Sequence, residues 1–213
     1  MLRLFVAIRV PAEVQRALAA EQRRQEDAGA RLRWVRPESI HLTLVFLGNV
    51  AEERVPAIER AVQATAAEVA PFDLAVRGLG CFPPHGRPRV LWAGLEGGLD
   101  ALHALQQGID RRLRRAGFTL EERAFRPHLT LGRATPQQAP HLGPALQARL
   151  SGGPPSIGQW HVRDVEVIRS QLHPTGSIYT TLCSAPLAGD PSPTDTRPLY
   201  PKSRAQDALT SGG

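Results

Sequence analysis

Cysteine is scarce in this sequence, and long apolar runs are missing. Its 213 residues include two cysteines, Cys81 and Cys183, which stand far apart and form no C-x-x-C motif. That spacing excludes a cysteine-based zinc site, and we expect two reduced thiols. No stretch of about 18 uncharged apolar residues occurs, so no membrane-spanning helix is predicted. The apolar run within residues 1–10 is too short for a signal peptide, and we therefore expect a cytoplasmic protein.

Lysine is almost absent as well. Of the 26 basic residues only Lys202 is a lysine, and the others are arginines. A genome rich in G and C produces such a bias without any functional cause. The planar guanidinium group nevertheless suits phosphate and stacks on bases, and the formal net charge is +6. The composition therefore permits a phosphate or nucleic-acid partner but does not establish one.

The sequence alternates between the periodicities of strands and helices. Several neighbouring strands look like hairpins, so an α+β fold fits better than a doubly wound parallel sheet. From residue 186 the apolar periodicity ends, which predicts a folded domain over 1–185 and a disordered tail over 186–213. The predicted strands cover 2–9, 32–35, 41–47, 72–82, 89–95, 128–134, 160–170 and 176–183, and the predicted helices cover 11–29, 52–70, 99–116 and, weakly, 136–150.

The string H-L-T-L occurs twice, beginning at His41 and at His128, each time within a predicted strand. Side chains alternate between the two faces of a strand, so His41 and Thr43 share one face, as do His128 and Thr130. The intervening leucines face the other side, where helices pack. The two similar stretches predict an internal duplication with one lobe for each copy.

A histidine and a threonine on one strand face suit the chemistry of a tetrahedral oxyanion. Imidazole exchanges protons near neutral pH, and the hydroxyl group donates a hydrogen bond. Two such pairs that face each other would form a clamp for phosphate, with one histidine as the base and the other as the acid. This chemistry needs no metal ion, and the sequence contains no ligand cluster for one.

The motifs and their surroundings resemble the two-histidine (2H) phosphoesterase superfamily, and within it the RNA 2′,3′-cyclic phosphodiesterases, also called 2′-5′ RNA ligases. The matching segments are "RLFVAI", "RWVRPESIHLTLVFLG", "GLGCFP", "RPRVLWAGL", "FRPHLTLGR" and "SIYTTL". The resemblance implies a bilobal α+β fold with a central cleft between antiparallel sheets and with helices outside. It implies metal-independent hydrolysis of RNA 2′,3′-cyclic phosphate ends to 2′-phosphate ends. We expect a monomer that needs no cofactor.

The resemblance also assigns roles to residues. His41 would donate a proton to the leaving 3′ oxygen, His128 would accept one from water, and Thr43 and Thr130 would hold the phosphoryl oxygens. Three further residues are candidates for substrate binding, namely Arg126, Arg133 and Tyr179. Arg133 has the wrong parity for the site unless the strand ends or bulges at Gly132. The off-parity Phe46 and the tryptophans Trp34, Trp92 and Trp160 are predicted to lie in the core.

Two other interpretations remain open from the sequence. The same fold and chemistry would also act on another cyclic phosphate or on 2′-5′-linked oligonucleotides, and ligation would be the same reaction with a 5′-hydroxyl in place of water. A protein of a different class would bind RNA ends without turnover. The intact pair of motifs argues against such a binder, because binding alone needs no matched acid and base.

Overall fold

The computed structural model describes residues 1–84, 87–134, 155–173 and 176–189, and nine strands and three α-helices lie within them. No helix in these ranges is long and apolar enough to cross a membrane. The strands are β1 Leu2–Arg9, β2 Arg33–Trp34, β3 His41–Val50, β4 Phe72–Phe82, β5 Val90–Gly97, β6 Leu129–Arg133, β7 Ser156–Val162, β8 Asp164–Gln171 and β9 Ile178–Pro186. The helices are α1 Ala12–Asp27, α2 Val55–Ala66 and α3 Leu99–Arg115.

The strands form two antiparallel sheets. One has four strands in the order β3-β1-β8-β9, and the other has five in the order β2-β6-β5-β4-β7. Every pairing in both sheets is antiparallel. The predicted α+β class with antiparallel sheets is therefore confirmed.

The sheets repeat one arrangement, although not as one lobe for each copy. Each contains a strand of a histidine motif, β3 or β6, beside a strand that leads into a long helix, β1 or β5. The next strand in each sheet comes from the other half of the chain, β8 beside β1 and β4 beside β5. The expectation of one lobe for each copy is wrong, because the two halves exchange strands.

The chain crosses between the sheets at Arg163. The sequence predicts one strand over 160–170, but β7 ends at Val162 in the five-stranded sheet and β8 begins at Asp164 in the four-stranded sheet. Buried residues have even numbers just before this point, as at Val162, and odd numbers just after it, as at Val165. That change of parity marks the crossing, since a continuous strand would keep its buried face.

The helices pack against the two sheets and against each other. Helix α1 packs on the five-stranded sheet through β7, whereas α2 packs on β8, β9 and α3. Gly108 of α3 permits the close approach of α2, because a Cβ atom there would lie 2.5 Å from Cγ2 of Thr65. The cores beneath the helices consist mainly of aliphatic side chains that are fully buried.

The folded part extends beyond residue 185. Pro186 still belongs to β9, and Leu187 is buried, with its N–H bonded to the carbonyl of Arg163. Ala188 and Gly189 form backbone hydrogen bonds to the end of α2 and the turn after it. The predicted start of the tail at 186 is therefore too early. The rest of the tail, 190–213, and the predicted helix over 136–150 lie outside the described residues.

Candidate active site

The two histidine motifs face one cavity. His41 is the first residue of β3, and His128 directly precedes β6. Together with Thr43 and Thr130 they line a cavity of about 310 Å³. The leucine after each histidine is fully buried instead. The period of two thus places an imidazole and a hydroxyl on the cavity face of each strand.

Each motif is followed by a β-bulge. The register of β3 with β1 skips Leu44, which follows Thr43. The register of β6 with β5 skips Leu131, which follows Thr130. A bulge inserts one residue and changes the direction of the side chains beyond it. Both strands therefore change face at the same distance from their histidine.

The bulge in β3 turns Phe46 into the cavity. The sequence predicts this residue in the core, and that prediction is wrong. Phe46 is 37% exposed and lines the same cavity as the histidines. The guanidinium carbon of Arg3 lies 4.7 Å from the centroid of its ring. The parity argument failed because it assumed an unbroken strand.

Arg133 occupies the equivalent position in the second motif, three residues after Thr130. The bulge that brings it to the cavity face lies at Leu131, one residue before the glycine at which the sequence analysis places a possible bulge. Arg133 lines the cavity, and its charge acts on both histidines. The two copies thus contribute different chemistry at matched positions, an aromatic ring from one and a cation from the other.

Both imidazoles are held in the same way through their Nδ1 atoms. Nδ1 of His41 lies 2.8 Å from the carbonyl oxygen of Ser39, and Nδ1 of His128 lies 2.7 Å from that of Arg126. A carbonyl oxygen only accepts hydrogen bonds, so Nδ1 carries the hydrogen and donates it in both residues. Nε2 is consequently the nitrogen that exchanges a proton.

Aromatic rings surround each imidazole. His41 stacks on Phe5, with ring centroids 4.7 Å apart, and meets Tyr179 edge to face at 5.1 Å. His128 meets Phe82 edge to face at 5.0 Å and lies 6.3 Å from Trp92. Tyr179 thus lines the cavity as the sequence suggested. Such packing fixes the orientation of the imidazoles, because a rotation would collide with the rings.

The position of Trp92 corrects its assignment to the core. That assignment holds for the buried Trp160, and Trp34 is half-buried against the core. Trp92 is also half-buried, but its indole lies beside His128 above Gly80. A Cβ atom at Gly80 would lie 2.1 Å from the indole ring. A side chain at that position would therefore displace the indole from the histidine.

The pKa values of both histidines are lowered from the usual value near 6.5. Burial is the largest cause in each, because it disfavours the charged imidazolium. The hydrogen bond to the backbone opposes this effect, whereas the charge of Arg133 adds to it at both residues. Arg9 and His128 lower the pKa of His41 further. Without a bound anion, both imidazoles therefore favour the neutral form.

Arg126, the third candidate for substrate binding, lies outside this cavity. Its carbonyl accepts the hydrogen bond from His128, but its side chain lines a second and larger depression of about 800 Å³. We call this depression the side groove. It runs between Phe82, Gln106 and Phe125 and meets the cavity at His128. Within the described ranges, no group of three or more His, Cys, Asp or Glu residues is arranged to hold a metal ion.

A family model described as "LigT like Phosphoesterase" matches residues 8–92 and again residues 95–179. Together the matches cover more than half of the chain, and each includes one histidine motif. The chain belongs to this family. The double match also confirms the duplication predicted from the sequence.

Relatives within the family carry a more specific name. The RNA 2′,3′-cyclic phosphodiesterase of Methanothermobacter thermautotrophicus is 33% identical over 181 residues, or 84% of this chain and 96% of that protein. The protein of the same name from Thermus thermophilus is 33% identical over 195 residues, or 89% of this chain and 92% of its own. The resemblance recognised in the sequence is therefore confirmed.

Solved structures share the fold. The crystal structure of a Thermus thermophilus protein, TT0787, superposes with a TM-score of 0.72 at 31% identity, covering 88% of this chain and 99% of that one. Escherichia coli LigT, crystallised with 3′-AMP, gives a TM-score of 0.70 at 25% identity, covering 87% and 98%. The sheets described above, with their exchanged strands, therefore belong to a fold that this chain shares with solved LigT-like structures.

Sequence reasoning did not identify Arg9 as a residue that influences the candidate active site of this LigT-like phosphoesterase, where its charge lowers the pKa of His41. Arg9 lies opposite His41 in the register of β1 with β3. Its guanidinium donates to Oε2 of Glu166 at 2.7 Å and to Oγ1 of Thr181 at 2.9 Å, and the threonine hydroxyl donates to the same carboxylate at 2.7 Å. The signal in the sequence was the alternation along β1, which gives Arg9 the same face as Phe5.

A buried glutamine connects the LigT-like helix α1 to the bulge in β6. Nε2 of Gln22 donates to the carbonyl of Leu131 at 2.9 Å and to that of Val35 at 2.7 Å. The N–H of Val35 donates to the same Leu131 carbonyl at 2.9 Å. These bonds hold Leu131, the bulge residue that allows Thr130 and Arg133 to face the same cavity. Gln22 is therefore a positioning residue.

We expect Gln22→Leu to lower both stability and kcat. The substitution removes the side-chain donor from the carbonyls of Val35 and Leu131, of which the second keeps the N–H of Val35. The loss costs about 1–3 kcal/mol, and it loosens the bulge that orients Arg133. Thermal unfolding and turnover of a cyclic phosphate would be measured beside Gln15→Leu. Gln15 is on the same helix and donates to the carbonyl of Val10 at 2.8 Å, away from the bulge. An equal loss of kcat in both variants would contradict a positioning role.

Proposed function

We propose that this protein hydrolyses RNA 2′,3′-cyclic phosphate ends to 2′-phosphate ends without a metal ion, with His41 and His128 as acid and base. One observation carries the proposal. Two imidazoles from duplicated strands meet in one cavity, each with Nδ1 tied to a carbonyl and Nε2 left for proton exchange. The names of the relatives supply the substrate class, since they are RNA 2′,3′-cyclic phosphodiesterases.

The reaction needs one proton accepted and one donated. Nε2 of neutral His128 takes a proton from water as the oxygen attacks phosphorus. The bond from phosphorus to the 3′ oxygen breaks, and protonated His41 gives its proton to that oxygen. The bond to the 2′ oxygen remains, so the product is a 2′-phosphate. The assignment of the acid to His41 follows the family resemblance, because the two motifs are alike in their surroundings.

Charge develops on the phosphoryl oxygens as water attacks. The hydroxyl groups of Thr43 and Thr130 and the guanidinium of Arg133 line the cavity with the histidines. They are fixed on strands, so the donors need no rearrangement when the negative charge grows. Phe46 offers an aromatic ring in the same cavity, on which the terminal nucleobase stacks.

The lowered histidine pKa values predict a distinctive pH dependence. The profile of kcat/KM reports the free enzyme, and both free imidazoles titrate below their usual value. The optimum should therefore lie below pH 6.5, the usual imidazole value, because His41 loses its proton above its lowered pKa. A bound phosphate anion favours the imidazolium and raises that pKa. The alkaline limb of kcat should consequently lie at higher pH than that of kcat/KM, and coincident limbs well above the usual imidazole pKa would contradict this.

The proposed function is tested with an RNA that ends in a 2′,3′-cyclic phosphate, in excess EDTA. The product would be separated against synthetic 2′-phosphate and 3′-phosphate standards. We expect the 2′-phosphate alone, at the same rate with and without EDTA. A 3′-phosphate product would reverse the roles of the two ester oxygens, and a loss of turnover in EDTA would show that a metal ion takes part.

A further inference from the structure

The two histidines differ in the residue that lies opposite them on the neighbouring strand. Arg9 lies opposite His41 in the register of β1 with β3. The register of β5 with β6, continued by one residue, sets Gly94 opposite His128 at the matching position. A side chain has no room there, because a Cβ atom on Gly94 would lie 2.6 Å from the carbonyl oxygen of Arg77. The duplicated site therefore has a cation beside one imidazole and no side chain at the matching position beside the other.

Arg9 is anchored by residues of β8 and β9. Its Nε donates to Oε2 of Glu166 at 2.7 Å, and its Nη2 donates to Oγ1 of Thr181 at 2.9 Å. The side chain of Glu166 is only 14% exposed, so solvent screens this ion pair less than a pair on the open surface. Arg9 lines neither the cavity nor the side groove. Its effect on the reaction therefore passes through His41.

The titratable and charged groups around His41 come from four neighbouring strands. They are Arg3 and Arg9 on β1, Asp164 and Glu166 on β8, Tyr179 on β9, and Arg133 on β6 with His128 before it. Strand β1 lies between β3 and β8, so Glu166 lies one strand farther from His41 than Arg9 does. Burial and the charge of Glu166 raise the pKa of Asp164, so Glu166 carries the negative charge at this end of the sheet. The nearest charge across the sheet is thus a cation, and its counter-ion lies beyond it.

The charge of Arg9 acts on one histidine and not on the other. It adds to burial, the largest cause, in lowering the pKa of His41. The pKa of His128 is lowered by burial and by Arg133, without a contribution from Arg9. The strands of the two motifs belong to different sheets, and a Coulomb interaction weakens with distance. Arg9 thus separates two titrations that Arg133 moves together.

We propose that Arg9, anchored by Glu166 and Thr181, is a positioning residue that controls proton transfer at His41 and leaves proton transfer at His128 unchanged. The inference rests on the proposed function, in which His41 gives its proton to the 3′ oxygen. A bound phosphate anion favours the imidazolium and thereby holds that proton on the ring. The cation of Arg9 opposes this effect, so Nε2 of His41 releases its proton as the bond from phosphorus to the 3′ oxygen breaks.

Two substitutions should move the titration of His41 in opposite directions. Arg9→Met removes the cation and leaves the carboxylate of Glu166, so the pKa of His41 should rise. Glu166→Gln keeps an acceptor for Arg9 but removes the compensating negative charge, so the pKa of His41 should fall. NMR titrations without substrate measure both shifts, with signals assigned from His41→Ala and His128→Ala. The alkaline limb of kcat/KM for a 2′,3′-cyclic mononucleotide should move in the same directions. In Arg9→Met, kcat should fall by less than about tenfold with KM unchanged, a part of the 10²- to 10⁴-fold that a whole acid supplies.

The matched controls are Arg112→Met and Glu68→Gln, which make the same charge changes in an ion pair that lines neither depression. They should shift neither histidine.

The outcomes separate this inference from the proposed function. Shifts of His41 in the same direction in folded Arg9→Met and Glu166→Gln would show a structural disturbance, and an equal shift of His128 would show an effect that is not selective. Either result overturns the inference, as does an unchanged titration of His41. If His41 shifts as expected but the wild-type protein hydrolyses no cyclic phosphate, the proposed function fails while the effect of Arg9 on His41 stands.

Discussion

His41→Ala and His128→Ala should each lower kcat for cyclic-phosphate hydrolysis by about 10²- to 10⁴-fold, the usual contribution of a placed acid or base. Each variant keeps the threonines and Arg133, so substrate binding should persist. Single-turnover rates and equilibrium binding of an RNA with a cyclic phosphate end would be measured for both, with circular dichroism as a check on folding. Turnover within tenfold of wild type in either variant would contradict paired acid–base catalysis.

A substrate whose leaving group needs no proton separates the two roles. Nitrophenolate leaves without protonation, so a 3′-deoxynucleoside 2′-(4-nitrophenyl phosphate), which has no 3′-hydroxyl to attack phosphorus, bypasses the acid but still requires the base that activates water. We expect His41→Ala to recover most of its loss on this substrate and His128→Ala to recover little. The opposite pattern would exchange the assignments and leave the chemistry otherwise unchanged. This comparison decides which histidine is the acid and which is the base, since the similar surroundings of the two imidazoles do not.

Arg133→Ala should lower kcat/KM by about 10²- to 10³-fold, as the loss of one preorganised donor to a developing oxyanion does. The substitution should also move the pH optimum upward. Arg133 lowers the pKa of both histidines, and its removal lets both values rise towards the usual imidazole value. Rates across a range of pH and histidine titrations followed by NMR measure the two effects.

The matched control for that prediction is Arg111→Ala. Arg111 is exposed on α3 and lines neither depression, so its removal changes the net charge equally without touching the cavity. We expect no change in rate or in pH optimum for this variant. A similar upward shift in both variants would mean that overall charge, and not the position of Arg133, sets the histidine pKa values.

The sequence was informative about the site because the motif is local. A histidine and a threonine two residues apart share a strand face whatever the remainder of the fold does, and the buried Leu42 and Leu129 mark the opposite face. The repeated motif itself predicted the duplication, and the family resemblance added the antiparallel sheets and the central cleft. The proposed catalytic roles remain predictions, which the histidine variants test.

Features that depend on tertiary contacts were not predictable in the same way. The bulges at Leu44 and Leu131 leave no mark in the apolar pattern, since both residues are as apolar as a regular strand would require. The positions of Phe46 and Arg133 depend on them. Gln22 reads as an ordinary polar residue of a helix, although it is buried against the bulge in β6.

The crossing between the sheets, in contrast, left a readable trace. The buried residues change parity between Val162 and Val165, and two charged residues, Arg163 and Asp164, stand at the change. The sequence analysis predicted one strand over 160–170, although the apolar residues of its two parts alternate with different parity and therefore lie on different faces. A stricter count of alternation would have divided the segment correctly.

The exchange of strands between the halves makes each half depend on the other. Neither half completes a sheet alone, because β8 belongs beside β1 and β4 belongs beside β5. Either half on its own would leave its sheet without an inner strand. The strand that carries each histidine motif therefore lies in a sheet to which both halves of the chain contribute. Phe46 and Arg133, at matched positions of the two motifs, show where the chemistry of the two copies differs.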